Sequence, residues 1–213
     1  MLPVQRAEHG KSRLRAPRHV ERSALARAIA VDSITGVLDS PLVGAVVLVT
    51  SDPVVAAAGR DQARAGPSVQ VLDDPGRGLT AAVEAGVQLA RRQRPGGAVA
   101  ALLADVPALR GEDLTAALTT AQAHSRAVVP DHEGAGTVLL TAAPGVSLRH
   151  AFGPGSAARH RDLGAVVLEL DLPRLRRDVD TAADLADAVR LGVGASTTAL
   201  LEAATAVRGG SGH

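Results

Sequence analysis

A chain of 213 residues, 46% of them hydrophobic, is long enough for one domain with a substantial core. Its net charge of +1 argues against a dedicated nucleic-acid binder, and no apolar run is long enough for a transmembrane helix. Zero cysteines exclude disulfides, zinc–thiolate sites and a thiol nucleophile. The N-terminal residues also lack the apolar stretch of a secretory signal, so we expect a cytoplasmic protein without a membrane partner.

Seven short apolar runs, rich in Val and Leu, alternate with segments of helical length. Nearly continuous apolarity is typical of strands buried on both faces of a parallel sheet. The expected strands are 2–5, 44–50, 68–72, 98–104, 127–130, 137–142 and 165–170, and the expected helices are 20–38, 53–65, 79–93, 111–124 and 181–191. This alternation predicts an α/β fold with a doubly wound, mostly parallel sheet.

The stretch 127–172 departs from this rhythm, because its strands follow one another closely with only a short helix around 156–162. We expect a small antiparallel excursion there that covers one end of the sheet. The chain is predicted to form a single domain over residues 1–207, followed by a disordered tail at 208–213. In such sheets ligands bind beyond the carboxyl ends of the strands, so the loops after the strands are the places to search for a site.

The first of these loops is basic. Six basic residues stand against two acidic ones between positions 6 and 22, and they include Lys11, the only lysine of the chain. The segment containing Gly10, Lys11 and Ser12 is not a Walker A loop, because position 5, where that motif needs glycine, is Gln5. Lys11 and Arg13 remain suited to the phosphates of a small polyanion, although a solvated surface loop would have the same composition.

Three aspartates could hold a divalent metal. Asp105 ends an apolar strand, and Asp178 and Asp180 flank Val179, so in an extended chain both carboxylates lie on one face. Magnesium binds through one or two carboxylates and substrate phosphates. The structural alternatives are that Asp105 caps a turn, that Asp180 or Thr181 caps the helix from 181, and that Asp178 pairs with a neighbouring arginine.

A glycine-rich segment at 152–160 predicts an anion site. It contains Phe152, the only aromatic residue, and turns through Gly153 and Gly155 into Ser156, which is a favoured N-cap residue. Helix N-termini attract anions through unpaired N–H groups. Arg159 and His160 could add positive charge or simply face solvent. Upstream, Thr137 follows a second Gly-rich stretch and could donate a hydrogen bond.

Taken in order, these segments resemble the CofC/FbiD guanylyltransferases of coenzyme F-420 biosynthesis, within the nucleotidyltransferase superfamily. The resemblance covers the chain from Val4 to about Ala199. It is carried by GKSRL (10–14), DDPGRGLTAA (73–82), LLADVPAL (102–109), FGPGSAARH (152–160), RRDVDTAADL (176–185) and RLGVG (190–194). It implies a Rossmann-like nucleotidyltransferase fold. It also implies transfer of GMP from GTP to phosphoenolpyruvate, or alternatively to 2-phospho-L-lactate, with release of pyrophosphate.

The resemblance also implies roles for individual residues. Mg²⁺ would be held by three aspartates, Asp105, Asp178 and Asp180. The acceptor acid would be held by Thr137, Gly153 and Ser156 of the Gly-rich segments. GTP would be held by Lys11 and Arg13 of the basic loop, which are also the catalytic residues, and by Gly78 and Thr80 in the turn after the third strand. A downstream deazaflavin transferase is the partner that the resemblance suggests.

Three positions depart from the family pattern. Gln5 replaces a lysine, Thr80 replaces an asparagine and Ala104 replaces a glycine before the metal-binding aspartate. The first two motivate the alternative of a nucleotide-binding protein without turnover. Another nucleotidyltransferase, acting on 3-phosphoglycerate or on the molybdenum cofactor, is a further alternative, although the segment 152–160 disfavours the molybdenum enzyme.

Overall fold

The computed structural model describes residues 1–4, 14, 16, 17, 20–62 and 67–209. Strands and helices alternate along most of this part of the chain. The strands are β1 (Leu2–Pro3), β2 (Ala45–Val49), β3 (Ser68–Leu72), β4 (Val99–Leu102), β5 (Arg126–Pro130), β6 (Thr137–Ala142) and β7 (Val166–Val167). The helices are α1 (Arg22–Leu38), α2 (Pro53–Gln62), α3 (Leu79–Gln93), α4 (Gly111–Ala121), α5 (Ser156–Asp162), α6 (Pro173–Arg176), α7 (Ala182–Leu191) and α8 (Ala195–Gly209).

The strands form a mostly parallel sheet that extends across the described part of the chain. β1, β2 and β3 pair in parallel, and β4, β6, β5 and β7 form a second group in that order. The two groups are joined where the Leu102 N–H donates to the Met1 carbonyl oxygen at 3.2 Å, beside β1. The strand order is therefore β3-β2-β1-β4-β6-β5-β7. The predicted α/β class with a mostly parallel sheet is confirmed.

The antiparallel excursion is one strand inside the sheet. β6 runs antiparallel to both of its neighbours, β4 and β5, and all six of its residues are buried. The sequence reasoning expected this excursion to cover one end of the sheet, and that position was wrong. A short hairpin between β5 and β6 reverses the chain and brings the start of β6 back to the edge where β4 ends.

The core is aliphatic, as the composition requires. Its main cluster packs sheet residues such as Leu48 and Leu139 against Ile34 of α1, and all three are almost completely buried. A separate cluster packs Val179 against Leu25 and Ile29. Within the described ranges, no helix is both long enough and apolar enough to cross a membrane.

Two helices, α6 and α8, were not expected from the sequence. The first turn of α8 is held by the buried side chain of Asp32 in α1. Its two carboxylate oxygens accept from the backbone N–H groups of Ser196 and Thr197, each at 2.9 Å. Gly194 precedes this turn, and a Cβ there would lie 2.4 Å from the Asp32 carboxyl carbon. Tertiary contacts therefore define α8, and it extends to Gly209.

Candidate functional site

The loops that carry the predicted metal ligands meet through a backbone hydrogen bond. Asp105 lies just beyond β4, and its carbonyl oxygen accepts from the Val179 N–H at 2.9 Å. The Val179 side chain is completely buried. Asp178 is half-buried and Asp180 is exposed, so neither carboxylate is part of that core. The structure therefore brings together the two segments that the sequence reasoning assigned to one metal site.

The Asp178 carboxyl lies in a negative, partly desolvated environment. Burial, followed by the negative charges of Asp105, Asp180 and Asp131, raises the pKa of Asp178 to about 8. The closest imidazole contact is with His132, whose Nδ1 lies 3.6 Å from Asp178 Oδ1. Like charges that raise a pKa in this way favour either a proton or a cation between them. The site is therefore suited to a bound cation.

The arginines that could have neutralised Asp178 are held elsewhere. Arg176 donates to the carbonyl oxygens of Pro130, Asp131 and Leu170 at 3.2, 2.8 and 3.3 Å. Its guanidinium thus contacts backbone carbonyl oxygens, two of them at the end of β5, and does not pair with the Asp178 carboxylate.

Arg177 Nη1 lies 3.3 Å from Asp187 and 3.7 Å from Asp184, both of which belong to α7. The alternative in which Asp178 simply pairs with Arg176 or Arg177 is therefore wrong.

The helix-capping alternative is correct for Thr181. The Thr181 hydroxyl accepts from the Asp184 N–H at 3.2 Å, and Asp184 accepts from the Thr181 N–H at 2.8 Å. This reciprocal pair is a capping box, and it defines where α7 begins. With the cap supplied by Thr181, the carboxylate of Asp180 is not needed for that role, and its charge contributes to the environment of Asp178.

The β5–β6 hairpin is built around Asp131, which the sequence reasoning missed. Its carboxylate accepts from the Ala135 N–H at 3.0 Å and the Gly136 N–H at 2.6 Å. A Cβ at position 136 would lie 2.2 Å from Asp131 Oδ2, so the close approach requires glycine. An aspartate four residues before an Ala-Gly pair was the available sequence signal, because aspartate commonly closes turns of this kind.

The predicted acceptor residues Thr137 and Ser156 lie in hydrogen-bond contact. Ser156 Oγ donates to Thr137 Oγ1 at 3.0 Å, and both residues are buried. The hairpin supports this pair, because the Ala135 carbonyl oxygen accepts from the Ala157 N–H at 3.1 Å. The expected capping role of Ser156 was wrong. Gly155 is the N-cap residue of α5, and the Ser156 hydroxyl is directed to Thr137 instead.

Gly153 shapes the loop that leads into α5. Its φ of +112° lies in a region that side chains rarely adopt, so the turn requires glycine here. The exposed Arg159 side chain holds the same loop by donating to the carbonyl oxygens of Ala151, Phe152 and Pro154. Arg159 therefore acts on the backbone around Gly153.

His160 is completely buried, contrary to the expectation that it adds charge or faces solvent. Burial, together with the nearby charges of His150 and Arg159, lowers the pKa of His160 to about 4, so the ring is neutral at pH 7. Its Nδ1 lies 3.0 Å from Thr137 Oγ1, and its Nε2 accepts from the Ala151 N–H at 2.9 Å.

Of the predicted nucleotide-binding residues, only those after β3 lie within the described part of the chain. Gly78, with φ +85°, is the N-cap residue of α3, and Thr80 is exposed in the first turn. This loop follows the carboxyl end of β3, as Asp105 follows that of β4. Lys11 and Arg13, with Gln5, lie outside the described residues.

No group of three or more acidic or imidazole side chains in the described ranges forms a ready-made metal cluster. A cavity of about 430 Å³ lies elsewhere, at the opposite edge of the sheet, and is lined mainly by apolar residues such as Val46, Val99 and Leu114. It contains none of the candidate site residues. The candidate site is instead the edge where β4 and β5 end and β6 begins, with carboxylates on one side of the Asp131 hairpin and hydroxyls on the other.

Relatives of known description match almost the whole chain. A phosphoenolpyruvate guanylyltransferase from Salinispora arenicola is 47% identical over an alignment that covers 99% of this chain and 96% of the relative. Another from Frankia casuarinae is 46% identical, covering 95% of this chain and 76% of the relative. A crystal structure described as "putative nucleotide-diphospho-sugar transferase" from Desulfovibrio desulfuricans G20 has the same fold. Its TM-score is 0.63 at 21% identity, with 96% and 94% of the two chains covered.

The family profile described as "Guanylyl transferase CofC like" matches residues 1–205. This match includes β1 through most of α8, and therefore every predicted site residue. The chain is an enzyme of the nucleotidyltransferase class and belongs to the CofC-like guanylyl transferase family.

Proposed function

We propose that this chain is a phosphoenolpyruvate guanylyltransferase, which transfers GMP from GTP to phosphoenolpyruvate and releases pyrophosphate. The proposal depends most on one juxtaposition. The Asp131 hairpin joins the carboxylate group around Asp178 to the buried hydroxyl pair of Thr137 and Ser156. A cation site beside an anion site is what a transfer between two phosphates requires. The relatives at 46% and 47% identity that bear this name support the choice of acceptor.

The proposal includes a magnesium site formed by Asp105, Asp178 and Asp180. The residues fit a hard cation, because all three are oxygen donors, and because burial together with the charges of Asp105 and Asp180 raises the pKa of Asp178 to about 8. No ready-made cluster of three such side chains occurs in the described ranges, so water and substrate phosphates would have to complete the coordination of Mg²⁺. When bound, the ion would neutralise charge on the phosphates and help to align them.

The acceptor site is proposed to consist of Thr137, Gly153 and Ser156. The hydroxyl pair would supply a hydrogen-bond donor for a phosphate or carboxylate, and the loop at Gly153 would supply backbone N–H groups. Anionic acceptors strengthen such hydrogen bonds. Lys11 and Arg13 are proposed to contact the phosphates of GTP, and Gly78 and Thr80 its nucleoside portion.

The reaction needs no proton transfer. An oxygen of the acceptor phosphate forms a bond to the α-phosphorus of GTP. The bond between that phosphorus and the α,β-bridging oxygen breaks, and pyrophosphate leaves with the electron pair. Because the nucleophile is already an anion, the protein must align it with the α-phosphorus and neutralise charge. The hydroxyl pair can align the acceptor, and the carboxylates can hold the neutralising cation.

The test is pyrophosphate release from GTP and Mg²⁺ with phosphoenolpyruvate, 2-phospho-L-lactate or 3-phosphoglycerate as acceptor. A deazaflavin transferase of coenzyme F-420 biosynthesis, with its acceptor, traps an unstable product. We propose this transferase as the downstream partner, and the cytoplasm as the location. Release with phosphoenolpyruvate alone is the expected result. Release only with another acceptor would change the substrate, and GTP binding without release from any acceptor would favour a non-catalytic nucleotide-binding protein.

A further inference from the structure

His160 contacts the proposed acceptor site, so its role there rests on the proposed function. This histidine is completely buried and makes one hydrogen bond through each ring nitrogen. The hydrogen-bond partners of the two ring nitrogens belong to different parts of the proposed acceptor site. Nδ1 contacts the Thr137 hydroxyl, and Nε2 contacts the backbone of the loop that contains Gly153.

The backbone contact selects the tautomer of the ring. Ala151 contributes an N–H, which can only donate, so Nε2 must be the unprotonated nitrogen. In a neutral imidazole the proton then resides on Nδ1. His160 is neutral at pH 7 because burial and nearby positive charge lower its pKa to about 4. The Nδ1–H group therefore donates to Thr137 Oγ1.

This donation fixes the use of the hydroxyl hydrogens. Thr137 and Ser156 possess one hydroxyl hydrogen each, and the bond between the two hydroxyls uses one of them. Because His160 Nδ1–H is the donor in this hydrogen bond, the Thr137 hydroxyl does not donate to the ring. One O–H group of the pair is therefore left to donate to an incoming anion. In the opposite tautomer, Nδ1 would accept from Thr137, and both hydroxyl hydrogens would be used within the network.

We propose that His160 is a positioning residue that presents the Thr137–Ser156 hydroxyl pair as a hydrogen-bond donor to the anionic acceptor. His160 does not touch the acceptor in this arrangement. It acts through Thr137, and its other nitrogen ties the same network to the loop at Gly153. The phosphate or carboxylate of the acceptor is the class of group recognised.

Two substitutions separate the functions of the two nitrogens. In His160→Asn the amide nitrogen lies near the position of Nδ1 and can still donate to Thr137. In His160→Gln the amide oxygen lies near the position of Nε2 and can still accept from Ala151, while the donor to Thr137 is lost. His124→Gln, at the end of α4, is the matched control.

We expect His160→Gln to raise the KM for the acceptor about tenfold or more, which corresponds to about 1.4 kcal/mol. We expect His160→Asn to raise it no more than about threefold, or about 0.7 kcal/mol, which is about half of the free energy of the tenfold step. Neither variant should alter the KM for GTP, and His124→Gln should match the parent protein in both constants. A purely structural role predicts lower melting temperatures without this split. Equal acceptor KM values in His160→Gln and the parent protein would overturn the proposal.

The tautomer is measured without turnover, from the ¹⁵N resonances of the ring, assigned by their loss in His160→Asn. A proton on Nδ1 is expected at pH 7, and a proton on Nε2 would overturn the proposal. Calorimetric titration with phosphoenolpyruvate, 2-phospho-L-lactate and 3-phosphoglycerate then separates the two claims. If His160→Gln weakens anion binding but the parent protein shows no turnover, the result would overturn the proposed function alone. The parent protein binding none of the three anions would overturn both.

Discussion

The backbone N–H of Val179 donates to the carbonyl oxygen of Asp105 at 2.9 Å, and this contact joins two loops that are 74 positions apart in sequence. The bond uses main-chain atoms only, so it does not occupy the Asp105 carboxylate. Val179 is held at the same time by its buried side chain. The spacing between the two loops that carry the proposed metal ligands is therefore set by the backbone and does not depend on contacts between the ligand side chains.

Replacement of Asp178 should separate activity from stability. Asp178→Asn removes a metal-binding charge, and we expect pyrophosphate release to fall by at least about 100-fold, a loss of roughly 2.7 kcal/mol of transition-state stabilisation. The same change relieves repulsion with Asp105 and Asp180, so the metal-free variant should melt at a higher temperature at pH 8. Asp171→Asn, at an exposed position, is the control and should change neither quantity. Full activity in Asp178→Asn would contradict the metal assignment.

Replacement of Asp105 should also abolish turnover while the fold remains intact. Asp105→Asn keeps the shape of the side chain and leaves the main-chain bond to Val179 in place, because that bond uses the carbonyl oxygen. We expect an activity loss comparable to that of Asp178→Asn and a circular dichroism spectrum like that of the parent protein. Since both changes remove ligands of one ion, the double variant should be little worse than either single variant. Additive losses would show that the two residues act separately.

The metal-free protein should lose stability as the pH rises. The pKa of Asp178 is raised in the folded state from an ordinary 3.8 to about 8, so the folded chain keeps a proton that the unfolded chain releases. The contribution of Asp178 is therefore complete below pH 4, declines between pH 4 and 8, and is constant above pH 8. Each unit of the shift corresponds to roughly 1.4 kcal/mol.

The measurement is the melting temperature across this pH range, with the Asp178→Asn curve subtracted. Mg²⁺ competes with the same proton, so it should raise the melting temperature more at pH 8 than at pH 6. Identical pH slopes in the parent protein and the variant would contradict the prediction.

Removal of the Thr137 hydroxyl should weaken acceptor binding and leave GTP binding unchanged. Thr137→Val preserves shape, but it leaves the His160 Nδ1–H and the Ser156 hydroxyl without their shared acceptor. We expect the KM for the acceptor to rise about tenfold, and stability to fall by about 1–3 kcal/mol. Thr137→Ser retains the oxygen and is the matched control. A loss as large in Thr137→Ser as in Thr137→Val would show that the methyl group, and not the hydroxyl, is important.

The contact between Asp32 and α8 should be important for stability alone. Asp32→Asn replaces one of the two accepting oxygens by an amide group, which cannot accept from Ser196 or Thr197. We expect the free energy of unfolding to fall by about 1–3 kcal/mol, measured by urea denaturation. Glu202→Gln, at an exposed position on α8, is the control. Activity per folded molecule should be unchanged, and a loss of activity without a loss of stability would contradict this assignment.

The sequence by itself determined the class of fold. Strands such as β3 and β6 and the helix α3 were predicted with their observed bounds, because strands leave short apolar runs and amphipathic helices leave a periodic pattern in the sequence. It also predicted that Asp178 and Asp180 share a face, since alternation along an extended chain is a local property. The cap of α7 was equally local, because Thr181 and Asp184 are three residues apart.

Only the tertiary structure decided which distant residues meet. The contact of Asp105 with Val179 and the insertion of β6 between β4 and β5 depend on packing that has no local signature. The same is true of α8, whose start is held by a side chain of α1. The burial of His160 reversed its expected role, because a histidine in a polar helix gives no sign of which face will be covered. Sequence patterns report each element's own preferences, whereas the chemistry of this site depends on contacts between elements.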